Sequence, residues 1–593
     1  MDDGTHIIHH HRFAQLEANG TLKDDTGKVF IPAHMNFRVI AIAAPVPPYP
    51  GYPLDPPFRS RFQVRFIDPV GSLVALVGTT GSKEDPLFVK LRNLILSTQF
   101  ASESRHALEA VSKSSLPPFP QTALSKLSSL ISMFPPSPQG LSPGQLARLL
   151  LVIHPALIHA PLQAWAILGR QCEEAGLGEL GSPSMSSVKE HIGILGYQVT
   201  EIQRLNEKVA QVTFEAPLVN PVVVSVPIGS RPLRPYPLTR TPELNPSTRF
   251  LGLLTCFLQA HALGWDISLI PSALPSTASS SSSTLVKAFG DILGYDAEVV
   301  HMYKEIGGRE LVMRRKIADG GATSWEPSTL VDAVWAGRLL HLSGLDVVGA
   351  TAGSLSRLLH DRETELWEGR RIVLDASQAE VGFYPQLPSI NALTSIKISS
   401  GELSIAHPSF RVISTASKSL PLKDWLANEH ANMFFPIPSQ PMGREEEEGI
   451  LKSHGCPPSV IPVLLDFAEK YRTSMLEDNI TKSRKLGTRS LVRIARRISK
   501  HPYSSNLYDI ASRLLLAEFL PVTEKMNLES MLRDCDIKMG PPVVSCSMFK
   551  DCSDDMTGFS KVQSQCIRGR KISDLPRINC PRKSWGNGVY STF

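Results

Sequence analysis

Cysteine is scarce in this sequence: eight in 593 residues, at Cys172, Cys256, Cys456, Cys535, Cys546, Cys552, Cys566 and Cys580. No two are spaced Cys-x-x-Cys, which argues against a zinc site. Before residue 530 they are sparse and unpaired, the usage of a reducing compartment. No uninterrupted apolar run is long enough to cross a bilayer, so no membrane span is expected. Charge of one sign is also lacking: 61 basic residues face 56 acidic ones, for a net charge of +5. That balance gives no bulk electrostatic case for nucleic acid. The first residues, Met1-Asp-Asp-Gly4, are acidic and carry no basic amphipathic or signal-like stretch.

What is present is ordinary globular composition, 42% hydrophobic and 20% charged, over a length that calls for several domains. The most informative stretch is Asn36-Phe-Arg-Val-Ile-Ala-Ile-Ala-Ala-Pro45. Its apolar run, Phe37 to Ala44, is short, β-branched at its centre and closed by prolines, which predicts a buried strand. The stretch recurs. Ser409-Phe-Arg-Val-Ile-Ser-Thr-Ala-Ser417 repeats it, each copy headed by His-x-x-Phe-Arg-Val-Ile, at His34 and His407. Upstream, Asp3-Gly-Thr-His-Ile-Ile8 is loosely echoed in Glu368-Gly-Arg-Arg-Ile-Val373. A repeat of such long period implies tandem copies of one module.

The segment Phe37-Arg-Val-Ile-Ala41, with Leu54-Asp-Pro-Pro-Phe-Arg-Ser-Arg-Phe62 behind it, resembles the dynein-related, MoxR-like branch of AAA+ ATPases. The likeness is greatest to the multi-module mitochondrial members that end in a von Willebrand factor A domain, and it covers roughly residues 1–530. It implies an α/β fold of tandem AAA+ (P-loop NTPase-like) modules, each a three-layer core with a helical lid. It also implies ATP and Mg²⁺ as cofactors, association with other AAA+ modules or with itself into a ring, and a mitochondrial location. By the same resemblance Met1 falls inside the first module, and the nucleotide-binding half of that module lies outside this sequence.

Along the chain, residues 1–70 read as the C-terminal half of a first core. His6, His9, His10 and His11 have no carboxylate or cysteine at ligand spacing, so no metal is expected, and they read as exposed histidines on a hairpin. Residues 71–195 read as its helical lid, with apolar residues at helical spacing over Leu87–Phe100, Thr122–Met133 and Gln145–Leu162. Residues 206–440 read as the second core, entered by a two-stranded ribbon through Val209–Ala216 and Val222–Pro227. In that core strands are expected at Trp265–Ile270 and Arg338–Leu342. Helices are expected at Leu285–Gly294 and Leu355–Glu365. Residues 441–530 read as the second lid, with Val460–Tyr471 and Arg489–Ile498 as helical faces. Residues 531–593 have no periodicity and read as an irregular or disordered tail.

The resemblance places a phosphate-binding loop between the Trp265–Ile270 strand and the Leu285 helix. The segment there, Pro271-Ser-Ala-Leu-Pro-Ser-Thr-Ala-Ser-Ser-Ser-Ser-Ser-Thr284, has neither glycine nor lysine. Ser282 falls at the lysine position and Ser283 at the Mg²⁺-hydroxyl position, followed by Thr284. These hydroxyls and the helix amides could still draw an anion, or the tract is a serine linker that has lost the phosphate cradle. The strand end that should carry a Mg²⁺-holding aspartate has Ser343, with Asp346 three residues on. Arg59 and Arg61 fit an arginine finger, Arg61 the better because it directly precedes Phe62; the alternative is a surface salt bridge. Arg489 fits a sensor-2 arginine or simply a basic helix face. Arg493, Arg496 and Arg497 read as a solvated face, since no aromatic residue interleaves with them. The expected function is that of an AAA+ ATPase-family protein, binding and hydrolysing ATP by resemblance, with a degenerate pocket here. The alternative is a non-catalytic AAA+-like scaffold.

Overall fold

In a computed structural model the residues described are 5–22, 29–42, 55–65, 86–107, 116, 119–120, 122–181, 193–241, 244, 246–271, 282–317, 321, 323–347, 355–366, 370–374, 401, 403–416, 433–439, 442–477, 486–500 and 506–538. The tail expected to be irregular lies outside the described residues from 539 onward, as do residues 272–281 of the serine tract. The chain divides into two bodies, one of Met1–Glu84 with Ile95–Lys113, the other of Asp85–Leu94 with Ser114–Phe593.

In the first body, strand β1 (Thr5–Ile8) pairs in parallel with β2 (Val29–Pro32), and helix α1 (His10–Ala18) lies between them in sequence. The histidine run therefore opens a helix, capped by the His9 imidazole, which accepts from the His11 amide. This corrects the expected hairpin: a parallel pair needs a crossover, and α1 supplies part of it. After β2 the Ala33 amide donates to Ile8 O at 2.7 Å. A short helix, α2 (Pro56–Arg59), follows further on; in α3 (Pro86–Ala107), residues 86–94 are assigned to the second body and residues 95–107 to the first.

Residues 37–42 do not form the expected buried strand. They form no regular element and are open to solvent, with Phe37 66%, Ile40 81% and Ile42 98% exposed. A strand is stabilised by its neighbours' ladder bonds and side-chain pairs, and no described strand lies alongside this one. Residues 43 and 44 of the expected strand lie outside the described residues.

The second body begins with helices α4 (Ala123–Met133), α5 (Pro143–Ile153) and α6 (Leu162–Glu174). The periodicity read as one helix over Gln145–Leu162 is two helices and a 3-10 turn, Pro155–His159, because Pro155 and Pro161 interrupt it. Ser142 and Gln145 form a reciprocal capping box at the start of α5. The expected two-stranded ribbon is a three-stranded antiparallel sheet, β3 (Gln198–Arg204), β4 (Val209–Glu215) and β5 (Val222–Pro227). β3 was missed because Gln198-Val-Thr-Glu-Ile-Gln-Arg204 has little apolar alternation; its pairing to β4 makes it a strand.

The core of this body follows as α7 (Thr248–Ala262), β6 (Ile267–Pro271), α8 (Ser282–Ile292), β7 (Ala297–His301), α9 (Gly308–Val312), β8 (Met313–Ile317), β9 (Thr323–Pro327), α10 (Thr329–Ala336) and β10 (Leu339–Ser343). Then come α11 (Ser356–His360), β11 (Thr364–Glu365), β12 (Arg371–Val373), β13 (Leu403–Ile405), β14 (Arg411–Thr415) and β15 (Phe435–Ser439). The helix expected over Leu355–Glu365 ends at His360, because Arg362 takes positive φ and Thr364–Glu365 pairs with β12. Five strands make one parallel sheet in the order β15-β6-β14-β10-β7. In order of appearance these are the fifth, first, fourth, third and second strands of the sheet. β6 and β10 are apolar runs buried along nearly their whole length, as strands covered on both faces must be. Phe257, Phe289, His261 and Tyr295 pack ring to ring between α7 and α8 and the turn after α8.

The closing helices, α12 (Arg444–Ser453), α13 (Val460–Glu477), α14 (Thr488–Lys500), α15 (Leu507–Leu514) and α16 (Val522–Asp534), share an apolar core built on Leu451, Leu464, Phe467, Leu491, Ile494 and Leu532. Inside it Glu447 is buried, gripped by both guanidinium nitrogens of Arg472 at 2.8 and 2.9 Å and by the Thr488 hydroxyl at 2.5 Å. This helical group is tied to the core by Arg249, which reaches Glu446 Oε2 at 2.7 Å, and by the hydroxyl of Ser247 on Glu446.

Candidate functional site

In a parallel α/β sheet, ligands are taken at the C-terminal ends of the strands, where loops diverge to opposite faces. Here that edge is formed by Pro271 of β6, Thr415 of β14 and Ser343 of β10. Backbone bonds tie the strand ends together. The Gly344 amide donates to Thr415 O at 2.9 Å, the Ala416 amide to Leu269 O at 3.2 Å, and the Met302 amide to Ser343 O at 2.9 Å. Helix α8 starts with Ser282, Ser283 and Thr284 in its first turn, so the positive end of its dipole follows β6 in the chain.

Ser343 closes β10, half-buried, and Asp346 lies beyond it, buried in the 3-10 turn Leu345–Val347. Ser343 thus ends β10 at this edge, while Ser282, Ser283 and Thr284 open the helix in which Gly290, near the other end, faces Leu339 at the start of β10. Arg489, by contrast, is exposed at the second position of α14 in the helical group, and it pairs with no acid among the described residues. Arg59 and Arg61 belong to the first body. Arg59 ends α2, Arg61 follows it in the turn where the Phe62 amide donates to Arg59 O, and both are exposed.

Two histidines at this edge escaped the sequence reading. His159 Nε2 lies 2.9 Å from Pro271 O, at the exit of β6, and burial lowers the pKa of the ring while its bond to that carbonyl raises it. His341 lies inside β10, with Nε2 3.0 Å from Thr415 Oγ1. Burial, and then the nearby His301, pushes it down to about 4, so it is neutral at pH 7. The one available signal was a polar residue inside the apolar run Leu339-Leu-His-Leu342.

The repeat read from the sequence has a close local counterpart in the structure. In the first body the Phe37 amide donates to His34 O at 2.9 Å, the Asn36 amide to His34 Nδ1 at 3.2 Å, and Arg38 Nη1 to Met35 O and Phe37 O at 2.8 and 2.9 Å. In the second body Phe410 donates to His407 O at 2.9 Å and Ser409 to His407 Nδ1 at 3.1 Å. There Arg411 Nη1 donates to Pro408 O and Phe410 O at 3.0 and 2.7 Å. The lead-in matches too: β12 pairs in parallel with β13, and the Ala406 amide returns to Val373 O at 2.8 Å, as Ala33 does to Ile8. The surroundings differ. Phe410 is 1% exposed under the Arg362 guanidinium, 5.2 Å from its ring centre, and β14 is a central strand.

Residues 281–423, from the start of α8 past the end of β14, match the AAA domain (dynein-related subfamily). Over 558 residues the chain is also 28% identical to von Willebrand factor A domain-containing protein 8 of Mus musculus, covering 91% of this chain and 27% of that protein. The chain thus spans about a quarter of the length of that relative. With a parallel sheet in the order fifth, first, fourth, third, second and this match running through its strands β7, β10 and β14, residues 281–423 are identified as an AAA domain of the dynein-related subfamily.

Proposed function

We propose that the chain holds two AAA+-type modules, the second keeping the nucleotide framework but hydrolysing ATP weakly or not at all. The tandem reading rests on the matched turns at His34 and His407 and on the parallel strand pair ahead of each. The inactivity rests above all on Ser343. It closes β10 where the family resemblance sets a Mg²⁺-holding acid, and the nearby Asp346 is buried in the next turn. Mg²⁺ at a phosphate site is held by carboxylate and substrate oxygens, and a neutral hydroxyl offers it far less. The residues present do not fit a Mg²⁺ site. Nor does Pro271–Thr284 contain a lysine to meet the β- and γ-phosphates.

What remains for ATP is the N-terminal end of α8, with the hydroxyls of Ser282, Ser283 and Thr284. In this reading Arg61, with Arg59 beside it, acts outward on the nucleotide of a neighbouring module, where such a finger contributes about 10³–10⁵ in rate. Arg489 serves as the lid arginine. Assembly is with other AAA+ modules or further copies in a ring, and the mitochondrial location follows from the resemblance alone.

Titration of the chain with ATP, followed by a phosphate-release assay, tests this. The expected result is weak ATP binding indifferent to Mg²⁺ and no release above buffer. The double substitution S282K/S343D should then make binding tighter and Mg²⁺-dependent. Mg²⁺-dependent turnover by the unaltered chain would overturn the proposal, and no ATP binding at any concentration would leave the non-catalytic scaffold in its place.

A further inference from the structure

The cations of the helical group divide into two populations. Arg444 pairs with Asp466 and Glu469, Lys470 with Asp534, and Arg472 with Glu447. Lys452, Lys525, Arg533 and Lys538 each have an acid as well. Apart from Arg489 at the start of α14, those that do not are Arg493, Arg496, Arg497 and Lys500 of α14 and Arg513 of α15: all five are exposed and none forms an ion pair among the described residues. They are also the rim of a single groove of about 460 Å³ between the two helices, floored by Ile510 and Leu514.

The clustering follows from helical geometry. Leu491, Ile494, Ala495 and Ile498 turn one face of α14 into the apolar core. That leaves positions 493, 496, 497 and 500 as a stripe at i, i+3, i+4 and i+7 on the outer face, about 10 Å long at 1.5 Å per residue. Arg513 adds a fifth charge from the facing helix. Asp509 is the one acid among the described residues from 486 to 514.

Five like charges in one groove repel each other unless an anion joins them, and four of the five are guanidinium forks, shaped for paired oxygens of phosphate. The groove's size is that of a small-molecule site rather than of a protein interface. Its apolar floor suits the organic body of a ligand, and no aromatic side chain lines it for base stacking. We propose that this groove binds a small molecule carrying two or more clustered phosphates, at a site separate from the nucleotide edge of the sheet.

The test is calorimetric titration of the full chain with inorganic tripolyphosphate at about 0.1 M salt. It is repeated on R493A/R497A/R513A, on R493K/R497K/R513K, and on R444A as a control on a paired cation of the same helical group. Binding that weakens at least tenfold in the alanine triple variant and several-fold in the lysine one, with R444A unchanged, is expected. The lysine variant keeps every charge and guards against a folding artefact, since its circular dichroism should match the parent. Absence of tripolyphosphate binding, or binding indifferent to both triple variants, overturns the proposal. So does a poly-glutamate peptide or a single-stranded oligonucleotide that binds the groove more tightly than tripolyphosphate, because either assigns the groove to a macromolecule. The triple variants leave Ser282, Ser283, Thr284 and Ser343 as they are, so a loss of tripolyphosphate binding in them reports on the groove and is distinguishable from failure of the nucleotide reading.

Discussion

Replacing Asp266 with asparagine should loosen the centre of the parallel sheet. Asp266 precedes β6, its side chain is 2% exposed, and its carboxylate takes both terminal nitrogens of Arg362 at 2.6 and 2.8 Å. The same carboxylate accepts the Val412 amide at 2.9 Å, at the start of β14. Arg362 in turn donates to Leu358 O and Leu359 O at the end of α11 and stands over Phe410. One buried pair thus holds together two neighbouring strands and the helix that leads back to them.

Asparagine keeps an acceptor for Val412 but removes the charge opposite Arg362. Stranding a buried charge in this way costs about 3–5 kcal/mol, or roughly two to three orders of magnitude in a local opening constant at about 1.4 kcal/mol per tenfold. Hydrogen exchange of peptides covering β6 and β14, read by mass spectrometry, measures that opening without requiring the whole chain to unfold in one step. R362Q should cost a similar amount, plus about 0.5–2 kcal/mol for the lost cation over Phe410. D266N/R362Q should cost clearly less than the two single changes added together, because it leaves no stranded charge. A D266N variant whose β6 and β14 amides exchange less than tenfold faster, or a strictly additive double variant, would refute the clasp.

Acid should destabilise the second body. Burial holds His261 down to about 3 and His341 down to about 4 in the fold, against about 6.5 in the unfolded chain. Both rings are neutral in either state above pH 6.5. As pH falls below that value only the unfolded chain takes up the proton, so stability is lost down to the folded pKa, for His341 by up to about 3 kcal/mol. His341→Leu should flatten the fall of the melting temperature between pH 6.5 and 4, and an unchanged slope would refute the assignment. Glu447→Gln strands Arg472 within the helical group and should cost about 3–5 kcal/mol, read as faster exchange in α12 and α13. Gly337→Ala should lower the melting temperature, since Gly337 has φ of 66° and a methyl group there would meet the His407 ring; the left-handed backbone alone costs about 1–2 kcal/mol. A G337A variant as stable as the parent would show that this turn has room to relax.

Much of the core was legible in the residues themselves. β6 and β10 announce themselves as apolar runs, and α8 as an amphipathic stretch ended by Gly294 at positive φ. The histidine turns were legible too, because every bond in them spans at most three residues and is written in His-x-x-Phe-Arg itself. The absence of lysine from Pro271–Thr284 and the serine at the end of β10 could be read without coordinates, since they are matters of residue identity. His159, His341, Asp266 and Arg362 could not, because each acts on a partner far away in the chain.

Phe37-Arg-Val-Ile40 and Phe410-Arg-Val-Ile413 separate the two kinds of information most sharply. The same four residues, leaving the same hydrogen-bonded turn, are an exposed irregular segment in one body and the entry to a central buried strand in the other. Local bonds close within a few residues and travel with the sequence. A strand exists only where neighbours complete its ladder, as β6 and β10 do for β14, and that is settled by what the rest of the fold brings alongside.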